Sequence, residues 1–275
     1  MKKEVCPVCG GAPAPAAPGL SVCGGCGLVS RVESYFGAPD YGAGLAEGIY
    51  GAAKAALFGE ALDFLAGALP AGGRLLDVGC AGGELLKAAA ARGWRAEGLE
   101  IVPALAVKAS ALGFEVHSRP VEQAALENGA YGAVTVFEVF SQMEKPAAAA
   151  AEISRLLKPG GAVYIREFNA AFHLSLYKLE QAGLFRLIGA SPSVIHNFNF
   201  RAETLRLMLE RAGFKDIRIR NSRPTSGDPY RTGGRLGGFL TGALKILYYT
   251  LAQALWLITA GRVYAGSTLI VTARK

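Results

Sequence analysis

The stretch Leu75-Leu76-Asp77-Val78-Gly79-Cys80-Ala81-Gly82-Gly83-Glu84-Leu85-Leu86 decides how this chain is read. An apolar run of strand type stops at Gly79, turns through a glycine-rich loop and resumes as a helix-forming segment. Glycine lets a backbone turn tightly and pass close beneath a ligand, and the first turn of the following helix offers N–H groups with no partner of their own. A dinucleotide loop of spacing G-x-G-x-x-G would need, counting from Gly79, glycine at positions 81 and 84. Ala81 and Glu84 stand there, which speaks against a nicotinamide cofactor. Glu100 closes the next apolar run, about 20 residues beyond Gly79, the separation at which an acidic side chain takes both hydroxyls of a ribose.

The pattern extends both ways from this loop. Downstream, strand-like runs (WRAEGLE, 94–100; FEVHS, 114–118; YGAVTVFEVF, 131–140; AVYIREFN, 162–169) alternate with helical stretches (ALAVKASALG, 104–113; AAAAAEISRLLKPGG, 147–161). Such alternation implies an α/β domain with a parallel sheet, helices on both faces and ligands beyond the C-terminal strand ends. Upstream, Ala55, Leu57, Phe58, Ala61, Leu62, Leu65, Ala68 and Leu69 share one helical face over 54–69, stopped by Pro70-Ala71-Gly72-Gly73.

Near the N-terminus, Cys6-Pro7-Val8-Cys9-Gly10 and Cys23-Gly24-Gly25-Cys26-Gly27 form two C-x-x-C knuckles, each followed by glycine. Two residues between cysteines let both sulfurs meet one ion, and four thiolates close a tetrahedral structural zinc site without an open position for catalysis. A redox dithiol is the lesser alternative, because the flanks lack the strand-then-helix context it needs. The expected organisation is a zinc ribbon over 1–33, a Gly- and Tyr-rich linker over 34–54, and a main domain over 55–275. Cys80, in the glycine loop, stands apart from the zinc set.

The loop LLDVGCAGGELL, the acid in GLE, and the segments FEVFSQMEKP and EISRLLKPGGAVYIREFN occur in the order found in the class I S-adenosylmethionine-dependent methyltransferases, which the chain resembles over about 55–275. HNFNFRAETLRLMLERAGFKDIRI is similar to the segment that follows in the branch containing ubiquinone-biosynthesis O-methyltransferases. The resemblance implies a Rossmann-like fold with an antiparallel last strand and S-adenosylmethionine as cofactor. By position it implies that Asp77 orients the loop and approaches the methionine amino group, that Gly79 and Gly83 give backbone access beside Cys80 and Ala81, and that Glu100, followed by Ile101, binds the ribose. Pro120 has no N–H, so adenine contact passes to Val121 and Glu122; Phe137 and Glu138 fall beside the sulfonium. The pattern departs at Ala81, where a glycine is common, and at Ser141-Gln142, where many relatives carry Glu-His. A zinc ribbon before such a domain also resembles some sugar and small-molecule methyltransferases and certain ribosomal-RNA guanine methyltransferases.

Methyl transfer to a hydroxyl needs a base, and Gln142 cannot serve. The histidines are the candidates, because imidazole titrates near neutrality. His196 is favoured by its match to the family histidine, His173 lies in the lid-like stretch FNAAFHLSLYKLEQAGLF, and His117 sits in FEVHS, each against the alternative of a hydrogen-bonded structural histidine.

Of the 275 residues, 51% are hydrophobic and 19% charged, with mean hydropathy +0.28, enough to bury a large core. The net charge of +7 divides into −4 over 1–150 and +11 over 151–275, which suits anionic lipid, nucleic acid or a phosphorylated substrate, or simply solvated helix faces. No signal-like segment precedes the first cysteines, so a cytoplasmic protein is expected, with the inner membrane surface as a peripheral station. Residues 236–260 (LGGFLTGALKILYYTLAQALWLITA) are almost wholly apolar but lie between segments read as strands six (215–220) and seven (267–273), which pair in one sheet. A single membrane crossing is therefore excluded. A bent or hairpin helical element is expected, covering the site mouth, pairing two copies as a homodimer, touching lipid, or packing on its own domain. The activity expected is methyl transfer to a small or lipophilic acceptor, with O-methylation preferred. Its rivals are a zinc-ribbon RNA methyltransferase, for which the ribbon offers only Lys2, Lys3 and Arg31, and a non-catalytic cofactor-binding scaffold.

Overall fold

The computed structural model describes residues 5–34, 54–70, 72–186, 191–225 and 235–275, so the expected linker lies almost wholly outside the described residues. The chain opens with three short strands, β1 (Pro13–Ala17), β2 (Leu20–Cys23) and β3 (Val29–Arg31), followed by helix α1 (Ala55–Ala68). Strands β4 (Arg74–Val78), β5 (Arg95–Leu99), β6 (Glu115–His117), β7 (Tyr131–Phe137) and β8 (Leu157–Phe168) then alternate with helices α2 (Glu84–Ala90), α3 (Pro103–Ala111) and α4 (Pro146–Leu156). Helix α5 (Ala170–Gln181), strand β9 (Phe198–Asn199), helix α6 (Ala202–Arg211), strand β10 (Lys215–Asn221), helix α7 (Arg235–Ile258) and strand β11 (Thr268–Arg274) complete it.

Seven strands form one sheet in the order β10-β11-β8-β7-β4-β5-β6. All neighbours run parallel except β11, which is antiparallel to both β8 and β10. The chain winds outward from β4 through β5 to β6, then returns to lay β7 on the other side of β4. The crevice opened by that reversal is where ligands bind in sheets of this kind. The apolar face of α1 (Leu57, Phe58, Ala61, Leu62 and Leu65) packs with Leu75, Ala133 and Tyr164 on one side of the sheet. On the other side, Leu76, Val134, Ile153, Leu205 and Leu209 form a core that also takes in Cys6, Val8 and Leu28 of the N-terminal segment.

The N-terminal sheet is completed by a strand from the far end of the chain, because β9 pairs antiparallel with β3, setting Val29 opposite Asn199 and Ser30 opposite Phe198. Arg31 adds a backbone N–H bond to the Asn197 carbonyl (3.0 Å) and a guanidinium bond to the Ile195 carbonyl (2.9 Å). Thr204 donates to the Cys26 carbonyl (2.6 Å), Arg211 to the Val8 carbonyl (2.7 Å) and Tyr177 to the Pro18 carbonyl (2.8 Å).

The apolar connector differs from expectation in shape. It is not a hairpin but one continuous helix, α7, of 24 residues. The end of β10 and the start of β11 lie side by side, Asn221 opposite Leu269, so the chain must come back to where it left. The helix itself is continuous from Arg235 to Ile258. Among the described residues, no helix is long and apolar enough to cross a membrane.

Candidate active site

A cavity of about 450 Å³ opens beyond the C-terminal ends of β4, β5 and β7. Its floor is the loop after β4, through Val78, Gly79 and Ala81; Glu100, Ile101 and Val102 form one wall, Val121 and Glu122 another, and Phe137, Glu138 and Val139 the far end. Gly79 adopts φ 79°, and a Cβ there would sit 2.4 Å from a Val139 methyl, so both conformation and space demand glycine. Ala81 holds the left-handed φ of 47° that a glycine would take without strain. What secures it is Glu100, whose carboxylate accepts the Ala81 N–H at 2.9 Å through one oxygen and the Val102 N–H at 2.8 Å through the other. The acid at the end of β5 thus ties the loop to the second strand while lining the cavity. Burial raises its pKa, against the pull of those N–H donors.

Three of the expected cofactor residues do not line the cavity. Asp77 is buried in the sheet and accepts the Thr135 hydroxyl at 2.7 Å; burial, reinforced by the charge of Glu100, pushes it up to about 7. Cys80 is buried among Leu86 and Ala109, and Gly83 backs onto Ala109 closely enough that a Cβ would approach that side chain to 3.2 Å. These residues hold the loop from beneath.

Next to the far end of the cavity lies a set of buried charges. Glu138, itself at φ 62°, pairs with Lys54 (2.8 Å) and with Arg166. Arg166 also donates to the Ser222 hydroxyl (2.9 Å). Lys54 is brought down to about 7, by burial first and then by the Arg166 cation. Glu167 is raised to about 7 by burial, although it accepts the N–H groups of Ser141 and Phe168. Lys54, Arg166 and Glu167 were missed as site residues. Lys54 sits at the end of the expected linker, but Arg166 and Glu167 interrupt the apolar run AVYIREFN, a signal that was available.

His173 and His196 both pack against the Phe168 ring (5.4 and 5.3 Å between centroids), and neither lines the cavity. His173 accepts the Val194 N–H through Nδ1 (3.1 Å) and meets the Ser267 carbonyl through Nε2 (3.0 Å), so neither nitrogen is left to take a proton from a ligand. Around His196 the backbone is fixed by Asn199, and no described residue bonds its ring nitrogens. Burial holds both imidazoles neutral, down to about 4. His117 lies on β6, at the far edge of the sheet.

Cys6, Cys9, Cys23 and Cys26 bring their sulfurs within 4.8 Å of one another. The two knuckles are built alike. Gly10 and Gly27, both at positive φ, donate to the carbonyls of Cys6 and Cys23, while Cys6 and Cys23 donate to the carbonyls of Gly11 and Leu28. A Cβ on Gly11 would lie 3.1 Å from the Cys23 sulfur, so the glycine keeps the thiolates from being crowded. Four soft thiolates at this spacing fit a tetrahedral zinc ion.

The sheet order, the antiparallel last strand and the acid-secured glycine loop together define a Rossmann-like class I methyltransferase. The family model described as a methyltransferase domain matches residues 50–219, and the chain belongs to that family. A ubiquinone biosynthesis O-methyltransferase of Xanthomonas oryzae pv. oryzae is 35% identical over 130 residues, 43% of this chain and 54% of the relative. The chain thus spans about half the length of that relative. The protein of the same name from Xanthomonas axonopodis pv. citri is 32% identical over 180 residues, covering 61% and 72%. Among solved structures, a SAM-dependent methyltransferase from Archaeoglobus fulgidus superposes with TM-score 0.55 at 17% identity, covering 84% of this chain and 98% of that one.

Proposed function

We propose that the protein transfers a methyl group from S-adenosylmethionine to an oxygen of a small lipophilic acceptor. The observation that carries this reading is the cavity beyond β4 and β5, with the ribose-type acid Glu100 on its wall and the Lys54–Glu138–Arg166 cluster at its end. S-adenosylmethionine, when bound, supplies a methyl carbon already activated on sulfonium. The chain's own residues then bind, orient and exclude water. Each Glu100 oxygen has a lone pair beyond the one given to a backbone N–H, so the carboxylate can hold ribose hydroxyls and the loop together. Val121 and Glu122 suit the adenine, Gly79 and Ala81 give access past the loop, and Ile101, half exposed, offers an apolar surface. Asp77, Cys80 and Gly83 support the loop from below. Phe137 and Glu138 face the reacting end.

For the hydroxyl proton we propose His196, which lies against Phe168 outside the cavity lining, because it is neutral and its ring nitrogens carry no bond from described residues. His173 braces α5 and the 193–196 segment. Oxygen as the acceptor atom and a lipophilic acceptor are supported by the names of the relatives and by Phe137, Val139 and Met143 in the lining. The four cysteines are proposed to hold one structural zinc.

The test is incubation of a cell extract with isotope-labelled methyl donor, with wild type and with Glu100→Ala. Label in an organic-soluble product with wild type alone is expected. Label in RNA, or tight cofactor binding without any labelled product, would overturn the reading in favour of a nucleic-acid enzyme or a scaffold.

A further inference from the structure

Helix α7 is built inside out. Its polar groups face the protein, where the Tyr248 hydroxyl bonds the Ser267 hydroxyl at 2.6 Å, Gln253 bonds Tyr249 and accepts from Asn221, and Ala252 is buried. Its outward face carries Leu244, Leu247, Leu251 and Ile258, at 64%, 58%, 62% and 82% exposure, with Ile246, Leu255 and Leu257 beside them. At about 100° per residue these positions, with Ala254 and Thr250, sweep roughly 180° of the helix circumference. Thr250 is the one hydroxyl within the arc, and it returns its proton to the Ile246 carbonyl at 2.9 Å, so it presents no donor to solvent.

An exposed apolar surface of this size marks a contact with lipid or protein. Two features decide between them. A coiled-coil contact with a second copy would use a narrow seam, whereas a half-cylinder of leucine and isoleucine on a convex ridge matches a plane of acyl chains. The charge flanking it in sequence has one sign. From Pro229 to Thr268 there is no Asp or Glu, while Arg231, Arg235, Lys245 and Arg262 are present, and Arg262 lies exposed just past the helix end. Two copies meeting through this region would set cation against cation, while an anionic lipid surface complements it.

We infer that α7 is an interfacial helix that seats the protein on an anionic membrane surface, lying in the plane of the headgroups with its leucine face among the acyl chains. This docking does not depend on what the enzyme methylates. The inner side of the same helix stacks Tyr248 on Phe172 of α5 (5.6 Å between ring centroids), so the docked element adjoins the His173 region.

The test is flotation of the whole protein with phosphatidylcholine vesicles and with vesicles containing phosphatidylglycerol, at low and high salt, for wild type, Leu247→Ser/Leu251→Ser and Arg262→Ala. Wild type is expected to float with the anionic vesicles and to be released by salt. The double serine variant should lose at least tenfold in vesicle affinity, and Arg262→Ala about fivefold, while titration with S-adenosylmethionine shows both variants folded and binding normally. Failure of wild type to float with either vesicle would overturn the inference. So would vesicle affinity unchanged in the double variant, or a solution dimer that this variant dissociates.

Discussion

The proposed cofactor and acceptor halves of the site are made in different ways. The first is one loop and one acid: Gly79 to Gly83 turn beneath the cavity and Glu100 ties them to the neighbouring strand, all within about 20 residues. The second, as proposed, draws Glu138 from just after β7, Lys54 from the start of α1, Arg166 from β8 and His196 from the segment before β9, with His173 of α5 bracing that segment. A local backbone motif can shape a binding site from short-range geometry alone. The acceptor side exists only once the whole sheet and the N-terminal knuckles are in place, so the two halves should fail separately.

The largest effect is expected at the proposed zinc site. The N-terminal segment pairs β3 with β9 and bonds the 195–197 segment through Arg31, next to His196. Structural zinc contributes on the order of 10 kcal/mol to such folds. Cys23→Ser, or chelation, should abolish methyl transfer while leaving S-adenosylmethionine affinity within a few fold, and elemental analysis should show one zinc per chain lost. A Cys80→Ala variant should keep its zinc. Equal loss of cofactor binding on removing zinc would break the separation.

His173→Ala should act next, on stability. It orphans the Val194 N–H and the Ser267 carbonyl, at a cost of about 4 kcal/mol. Because burial holds His173 near 4 rather than at the free value of 6.5, its contribution is full above 6.5 and is lost as pH falls through 4. Urea unfolding should therefore show a large gap between wild type and variant at neutral pH, narrowing by up to about 3 kcal/mol on acidification. A gap independent of pH would mean that the imidazole is not buried neutral.

Gly79→Ala probes the cofactor half, combining left-handed strain with a clash against Val139, together about 3 kcal/mol. Cofactor affinity should fall, and Val139→Ala should restore the share that comes from the clash. Absence of any rescue would show that conformation alone matters there.

The same contrast explains what was legible in the sequence. The strand–helix alternation, the α1 face and the paired knuckles follow from periodicity and spacing, which are local, whereas the antiparallel last strand was implied only by the resemblance to class I methyltransferases and the strand order came from the structure. The loop and Glu100 were readable for the same reason. Lys54 was not, because nothing near it in sequence announces that a lysine at a helix start will be buried against Glu138. The roles of His173 and His196 were equally hidden, since two similar histidines are told apart only by the partners that distant segments bring. For α7 the composition was visible but not the orientation; that the leucines face out depends on Ser267 receiving Tyr248 and Asn221 receiving Gln253 on the inner side.

The central assignment, that Glu100 secures a cofactor seat at the glycine loop, is tested most directly by calorimetric titration of S-adenosylmethionine and its demethylated product into wild type and Glu100→Ala. Both ligands should bind wild type, and the variant should weaken both by about 1.5 to 3 kcal/mol, the worth of a charge-assisted acceptor. No binding to wild type, or unchanged affinity in a folded variant, would contradict it.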